Sequence, residues 1–487
     1  MKRRKALQNL GLGLSGAVLL PSIFGSCKRE KELATLVKLD GNKFDGEVAI
    51  VGAGVCGLYL ADILQTLGIR VKVYEASNQV GGRIKSLNFQ SVSDYPNSPK
   101  MISDFPIELG AETIIGTNSI IGKIYQELRV PTTEFIPEKS LYILDNIAKT
   151  SSKWSSDPDF FAVMNFISQI NQYTSSAKTV KQMATDNGIT ERGMQLLGSI
   201  IGNSYGADID VLGIGLIGEE FKSRDGDAKI LGLNSNSMQS LVISRFHSIL
   251  PRIITGTKIT SIDYSGKTIN LLSSDGVAFQ ADLVVCTTPI SILKNGNISF
   301  TPKLPSKFMA SLDKFGMSPA IRVVLEFTTN FWGAEPPYIF GSPNFPEYFS
   351  CGVNRGELNR TLSTTIYGQR AEELSKEGVD IVSEIIKDLD SRFRGQATRY
   401  IRKDSSTLDI NFILENWGKN PNILGCFSYP LAGATINDRK NLGEPIEDKL
   451  FFAGEATDVT GWAGTVNGAL ASAERVSALV TEVIKKL

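Results

Sequence analysis

The chain has 487 residues, with 51 Lys and Arg against 51 Asp and Glu, so its formal net charge is zero. That balance leaves no electrostatic footprint for a nucleic-acid partner, and a single histidine, His247, argues against His-based metal or triad chemistry, so no metal site is expected. With 42% hydrophobic and 21% charged residues, the composition is that of a globular protein, and the length suggests two or three domains.

Residues 1–27 read as an export signal. Lys2, Arg3, Arg4 and Lys5 form a basic start, and residues 10–24 are apolar. That run is too short to span a bilayer comfortably. Arg3-Arg4 resembles a twin-arginine signal, although Ala6 stands where that pattern prefers Phe. The run IFGSC, ending at Cys27, resembles a lipobox. The expectation is an exported protein, periplasmic or held to a membrane by a lipid on Cys27. Residues 28–46 read as a linker.

Residues 48–86, VAIVGAGVCGLYLADILQTLGIRVKVYEASNQVGGRIKS, read as strand, glycine turn, helix, strand and second glycine turn. Gly52, Gly54 and Gly57 have GxGxxG spacing. The first allows a tight turn, the second lets backbone approach a pyrophosphate, and the third lets the helix pack on the sheet. The helix N-terminus presents free N–H groups and a positive dipole end to phosphate. Glu75, about 20 residues on, is placed to accept hydrogen bonds from an adenosine ribose, and an acid there argues against a 2′-phosphate. Gly81-Gly82-Arg83 adds a turn and a cation beside the phosphates.

Residues 104–116 read as a strand followed by Gly110-Ala111, small enough for a flat ring to approach the backbone. Residues 118–128 and most of 157–222 have helical periodicity, 225–233 reads as a loop and 238–249 as a helix. Residues 253–289 read as a β-meander feeding the buried run Leu283-Val284-Val285. Residues 298–424 mix strands (321–327, 363–367) with a helix over 369–392. Residues 449–480 read as an apolar strand, Gly454-Glu455, a glycine-rich loop and a helix starting at Thr465-Val466, whose dipole suits a negative charge on a bound group. Cys56 and Cys286 read as small buried hydrophobes.

In chain order, VAIVGAGVCGLYLA…VYEASNQVGGR, ELGAETIIG, SYGADIDVL, ADLVVCTTPISIL, GCFSYPLAG and LFFAGEATDVTGWAGTVNGA resemble the flavin-containing amine oxidases: monoamine, polyamine and L-amino-acid oxidases and the lysine-specific histone demethylases. The resemblance runs from Val48 to the C-terminus. It implies an α/β and α+β fold, with an FAD-binding Rossmann-like domain of the GR2 type and a discontinuous mixed substrate domain. The FAD domain would comprise residues 47–116, 228–297 and 425–487. The substrate domain would comprise 117–227, largely helical, and 298–424. It implies FAD contacts at Gly52, Ala53, Gly54, Gly57, Glu75, Ala76, Gly82, Arg83, Gly110, Ala111, Ile259, Gly454, Glu455, Thr465 and Val466. The implied reaction takes a hydride from a C–H beside an amine nitrogen of an amine or amino acid. The imine then hydrolyses, and oxygen regenerates the cofactor with release of peroxide.

Three departures fall on the substrate face. In IRVVLEFTTNFW, Arg322 occupies the position of the family lysine, and an arginine fork does not simply replace a lysine. Phe427 supplies one of two expected cage aromatics, Thr465 stands at the other, and Trp462 is a candidate for the missing ring. Cys426 lies where monoamine oxidases bond the flavin, although non-covalent FAD is favoured. Rival readings are a desaturase or protoporphyrinogen-oxidase-like enzyme acting on an apolar substrate, and a flavin-binding protein that has lost oxidase activity.

Overall fold

The computed structural model describes residues 44–487 except 91, 97–102, 104, 225, 226, 228 and 356–358. The export signal and nearly all of the linker lie outside these residues. Among the described residues, no helix is long and apolar enough to cross a membrane.

Five parallel strands form the sheet under the nucleotide motif, in the order Leu450–Phe452, Leu283–Cys286, Glu47–Val51, Arg70–Tyr74 and Ile253–Ile254. Val48, Ala49, Ile50, Val284, Val285 and Leu450 have no exposed surface, as strands covered on both faces require. Helix Val55–Thr66 crosses between the first two strands. Its small and apolar face packs on the C-terminal helix Val466–Ile484, where Leu470, Ala473, Val476 and Val480 are fully buried. The meander is present as Ile259–Asp263, Ile269–Ser273 and Ala278–Ala281, antiparallel, with Ser299–Thr301 added in parallel.

A seven-stranded sheet backs the other half, in the order Phe412–Asn416, Ala320–Glu326, Thr361–Tyr367, Glu347–Ser350, Tyr338–Phe340, Leu141–Leu144 and Ile147–Thr150. Residues 117–227 are therefore not purely helical: two of their strands complete this sheet, and a third, Thr132–Phe135, pairs with Ile230–Leu233. Helix Ile120–Glu127 packs with the nucleotide core through Ile121 and Ile124. Residues 225–233 end in strand Ile230–Leu233 rather than loop, because neighbours on both sides supply the pairing that a short Gly-containing run cannot signal alone. In the 104–116 stretch only Ile114–Ile115 is strand, with Glu108 bridged to Ser86. The helix expected over 369–392 is two helices, Gly368–Leu374 and Ile381–Phe393. His247 starts an exposed 3-10 turn, its Nδ1 3.1 Å from the Ser244 carbonyl.

Candidate active site

One elongated cavity of about 400 Å³ runs from the first glycine turn to the seven-stranded sheet. At its outer end the chain turns at Gly52 with φ +111°, a conformation that favours glycine, and a Cβ at Gly57 would come within 2.0 Å of the Gly52 carbonyl oxygen. Gly57 therefore serves helix-on-strand packing, and neither it nor the fully buried Ala53 reaches the cavity wall. Gly54, by contrast, faces open space. It is the N-cap of helix Val55–Thr66 and offers no side-chain cap, leaving the first N–H groups of that helix for another acceptor.

Glu75 stands in the same wall. Its Oε2 accepts from the Ala53 N–H at 2.7 Å, and its Oε1 accepts from the Ser77 N–H at 2.8 Å and the Ser77 hydroxyl at 2.7 Å. These bonds lock the carboxylate toward the turn. Ala76, Gly82 and Ile259 line this end too. Open glycine backbone, a helix N-terminus and a fixed carboxylate in one wall fit the adenosine diphosphate half of FAD.

Midway, Arg83 does not point freely into the cavity. Its Nη1 donates to Glu455 Oε1 at 2.8 Å and to the Cys426 carbonyl at 3.0 Å. Glu455 also accepts from the Ser428 N–H and hydroxyl and from the Gly464 N–H at 2.9 Å. Burial alone would raise the Glu455 carboxyl, but the Arg83 charge and the Ser428 hydroxyl hold it below its ordinary value. The pair staples the second glycine turn to the C-terminal loop. Beyond it lie Gly454, Thr465 and Val466 at the start of helix Val466–Ile484. The Thr465 hydroxyl caps that helix, accepting from Gly468 N–H at 3.2 Å and donating to the Trp462 carbonyl at 2.7 Å. Thr465 thus orients the dipole rather than supplying a cage wall.

The flat middle of the cavity is floored by Gly110 and Ala111. A Cβ at Gly110 would lie 1.9 Å from the Arg83 carbonyl oxygen and 3.3 Å from the Trp417 ring. The floor is tied from both sides: Leu109 and Ala111 donate N–H groups to the Lys85 and Arg83 carbonyls, while the Glu108 and Leu109 carbonyls accept from Arg322 and Trp417.

At the inner end Arg322 is 7% exposed and bonded to the protein through all three of its nitrogens. Nε bonds the Glu108 carbonyl at 2.9 Å, Nη1 the Thr365 hydroxyl at 3.1 Å, and Nη2 both Ser363 and the Glu112 carboxylate. Glu347 also lines this end and accepts from Asn203 Nδ2 at 2.7 Å. Burial, with repulsion from Glu112, pushes its carboxyl up to about 8 despite the Arg322 charge. Asn203 is 6% exposed, and its Oδ1 has no partner. It follows a π-helical stretch, Gly198–Gly202, a distortion that frequently marks functional sites.

Phe427 is in the cavity wall, but Trp462 is not. Trp462 packs over Arg224 at 5.3 Å and receives no access to the cavity. The second ring is Tyr367, its centroid 6.1 Å from that of Phe427 at 66°. Gly206, at φ +61°, sits under both rings, where a Cβ would lie 3.0 Å from Phe427 and 3.2 Å from Tyr367. Sequence reasoning missed Glu112, Asn203, Glu347 and Tyr367; only the turn residue Gly206, within the SYGADIDVL motif, signalled a close approach there. Cys426 lines the cavity, and burial pushes its thiol well above its ordinary value.

Several known proteins are similar to this chain. The flavin-containing amine oxidoreductase family model matches residues 55–197 and 234–481. A lysine-specific histone demethylase 1 homolog 1 of Oryza sativa subsp. japonica is 25% identical over 490 residues, covering 90% of this chain and 52% of the relative. The chain thus spans about half the length of the demethylase relatives it matches. Polyamine oxidase 4 of the same organism is 22% identical, covering 94% of this chain and 90% of the relative. Among solved structures, wild-type putrescine oxidase bound to putrescine superposes with TM-score 0.72 at 17% identity, covering 89% of this chain and 98% of that one. Cyclohexylamine oxidase from Brevibacterium oxydans IH-35A gives 0.73 at 18%, covering 91% and 100%. At these identities the superpositions establish the fold, and the match over most of the chain establishes the family: this protein belongs to the flavin-containing amine oxidoreductases.

Proposed function

We propose that the protein oxidises a small-molecule amine, rather than an amino acid, with FAD held non-covalently along the cavity. The observation that carries this is the charge at the inner end. Glu112 and Glu347 face one guanidinium, Arg322, which is already bonded to Glu112, Glu108, Thr365 and Ser363. With Glu347 ionised, two carboxylates face one guanidinium and the balance favours one added cation, and an ammonium beside Glu347 itself favours that ionised form. A substrate carboxylate would meet Glu347 instead of a free cation, and burying unpaired like charges is costly.

Bound FAD supplies the two-electron acceptor for the C–H beside the nitrogen. The chain's own residues do the rest. Glu347 and the Asn203 amide oxygen hold the substrate nitrogen, and the Glu347 carboxylate takes the ammonium proton, freeing the lone pair that forms the imine's C=N bond as the hydride leaves. Phe427 and Tyr367, in edge-to-face contact with each other, form one aromatic wall against which the carbon skeleton packs. Gly110 and Ala111 leave room for a ring, and the surrounding apolar wall excludes water. The product imine hydrolyses after release, and oxygen is the final acceptor, giving peroxide. The known substrates of similar proteins, putrescine and cyclohexylamine, support an amine of this size. The basic start and Cys27 support a separate proposal of export and lipid anchoring, which membrane fractionation of the wild type and Cys27→Ala tests.

The test is anaerobic mixing of the yellow protein with amines, amino acids and apolar donors. Flavin bleaching by amines is expected. Bleaching by apolar donors alone would transfer the protein to the desaturase reading, and no bleaching by any donor would mark a binding protein without oxidase activity.

A further inference from the structure

The wall behind the cavity floor contains a charged cluster to which the reaction assigns no task. Lys85 Nζ lies 2.8 Å from Glu415 Oε2, and the Tyr95 hydroxyl bonds the same carboxylate oxygen. The ammonium also sits 5.8 Å from the centroid of the Trp417 ring and 5.5 Å from that of Tyr95. Both distances fall within cation–π range. Trp417 is the member that reaches the cavity: it is 5% exposed, lines the floor beside Gly110, and donates its indole N–H to the Leu109 carbonyl at 2.9 Å.

The register explains why the cluster is there. Glu415 pairs directly with Arg322 across antiparallel strands, and directly opposed residues present their side chains on one face. Two cations therefore flank the stretch 108–112, each with its own carboxylate: Arg322 with Glu112, and Lys85 with Glu415. Arg322 grips the floor by the Glu108 carbonyl. Lys85 does not touch the floor through its side chain, and its effect passes through Trp417. A partly buried ion pair contributes little net stability on its own, so its placement against an aromatic wall needs another reason.

We propose that Lys85, clamped by Glu415 and Tyr95, is a positioning residue that holds the Trp417 ring against the Gly110 floor and so fixes the surface on which the flavin ring lies. This rests on the reading that FAD occupies the cavity, but not on any choice of substrate. Without the ammonium, the indole loses the charge at its face, its tilt is no longer fixed, and the Leu109–Gly110 backbone it ties relaxes with it.

The experiment uses the FAD-loaded full chain and needs no substrate. Lys85→Met is expected to weaken FAD binding by about 3- to 10-fold, the equivalent of one lost cation–π contact, and to shift the visible flavin absorption bands. Lys85→Arg, which keeps a cation over the ring, is expected to restore both. Because the effect runs through Trp417, Lys85→Met should add little in a Trp417→Phe background. Unchanged flavin bands and affinity in Lys85→Met would overturn the proposal, as would full additivity with Trp417→Phe. Should Lys85→Met fail to fold, Glu415→Gln carries the same expectations and the same overturning results. A protein that binds no FAD at all would instead remove the cofactor reading, a result these variants cannot mimic.

Discussion

The two ends of the cavity are built by opposite strategies. The outer end comes chiefly from one contiguous stretch, with Ile259 added from the meander: Gly52, Gly54 and Glu75 are brought together by a single strand–helix–strand unit whose parts hydrogen-bond to one another. The inner end gathers Glu112, Asn203, Arg322, Glu347, Tyr367 and Phe427 from six separate strands, helices and loops. The first end depends on local backbone geometry, and the second on long-range charge pairing. Recognition of a shared cofactor can be written locally, whereas recognition of a particular substrate here is a property of the assembled sheet.

The sharpest way to break this contrast is to remove the charge that organises the inner end. Arg322→Met leaves Glu112 buried without its partner and should cost about 3–5 kcal/mol in stability, read from urea unfolding of the FAD-loaded protein. A loss below about 1 kcal/mol would mean that the ion pair does not organise the face.

Next comes Glu347→Gln. Amine kcat/KM should fall by roughly 10²-fold, as for truncation of a buried charge contact, while FAD content stays constant. The pH profile gives a second reading. Because the Glu347 carboxyl is raised to about 8 by burial and Glu112, it is protonated below that pH and cannot pair with an ammonium. Its contribution to kcat/KM should therefore rise as pH climbs through about 8, and Glu347→Gln should flatten that limb. The stability linkage has the opposite sign: the folded state holds this proton where the unfolded chain has lost it, so the stabilisation is full below the unfolded value and fades as pH rises toward 8.

A smaller effect tests the outer end. Glu75→Ala removes the acceptor of the Ala53 and Ser77 bonds and should weaken FAD retention by about tenfold, with amine selectivity unchanged. A change in selectivity would show that the two ends are coupled. The smallest effect belongs between them: Cys426→Ala should leave flavin content and activity within about twofold, since a thiol held neutral by burial is a poor nucleophile. Acid precipitation should leave the yellow colour in the supernatant; colour in the pellet would establish a covalent link.

What could be read from the sequence follows the same division. The glycine spacing and Glu75 were legible because each constraint acts within a few residues of its cause. Arg322 was legible as an oddity, but its partner Glu112 lies in another strand's reach, and nothing near either residue announces the pair. Tyr367 closes a strand that reads simply as strand; it becomes a cage ring because the left-handed Gly206 lets it approach Phe427. Trp462 had the right residue type and neighbourhood, but its ring packs against Arg224 and lies outside the cavity wall. Strand Ile230–Leu233 was missed because its pairing partners, not its own composition, make it a strand.

The helix-on-helix contact between Val55–Thr66 and Val466–Ile484 also sets an order of events during synthesis. The first helix leaves the ribosome roughly 400 residues before the second, a delay of about 20–80 s at ordinary elongation rates. Over that interval the apolar face that the second helix will cover has no native partner, and the edge strand Leu450–Phe452 has not yet been made. The five-stranded sheet and the helix pair beneath the nucleotide turn are therefore complete only once residues 450–484 have emerged.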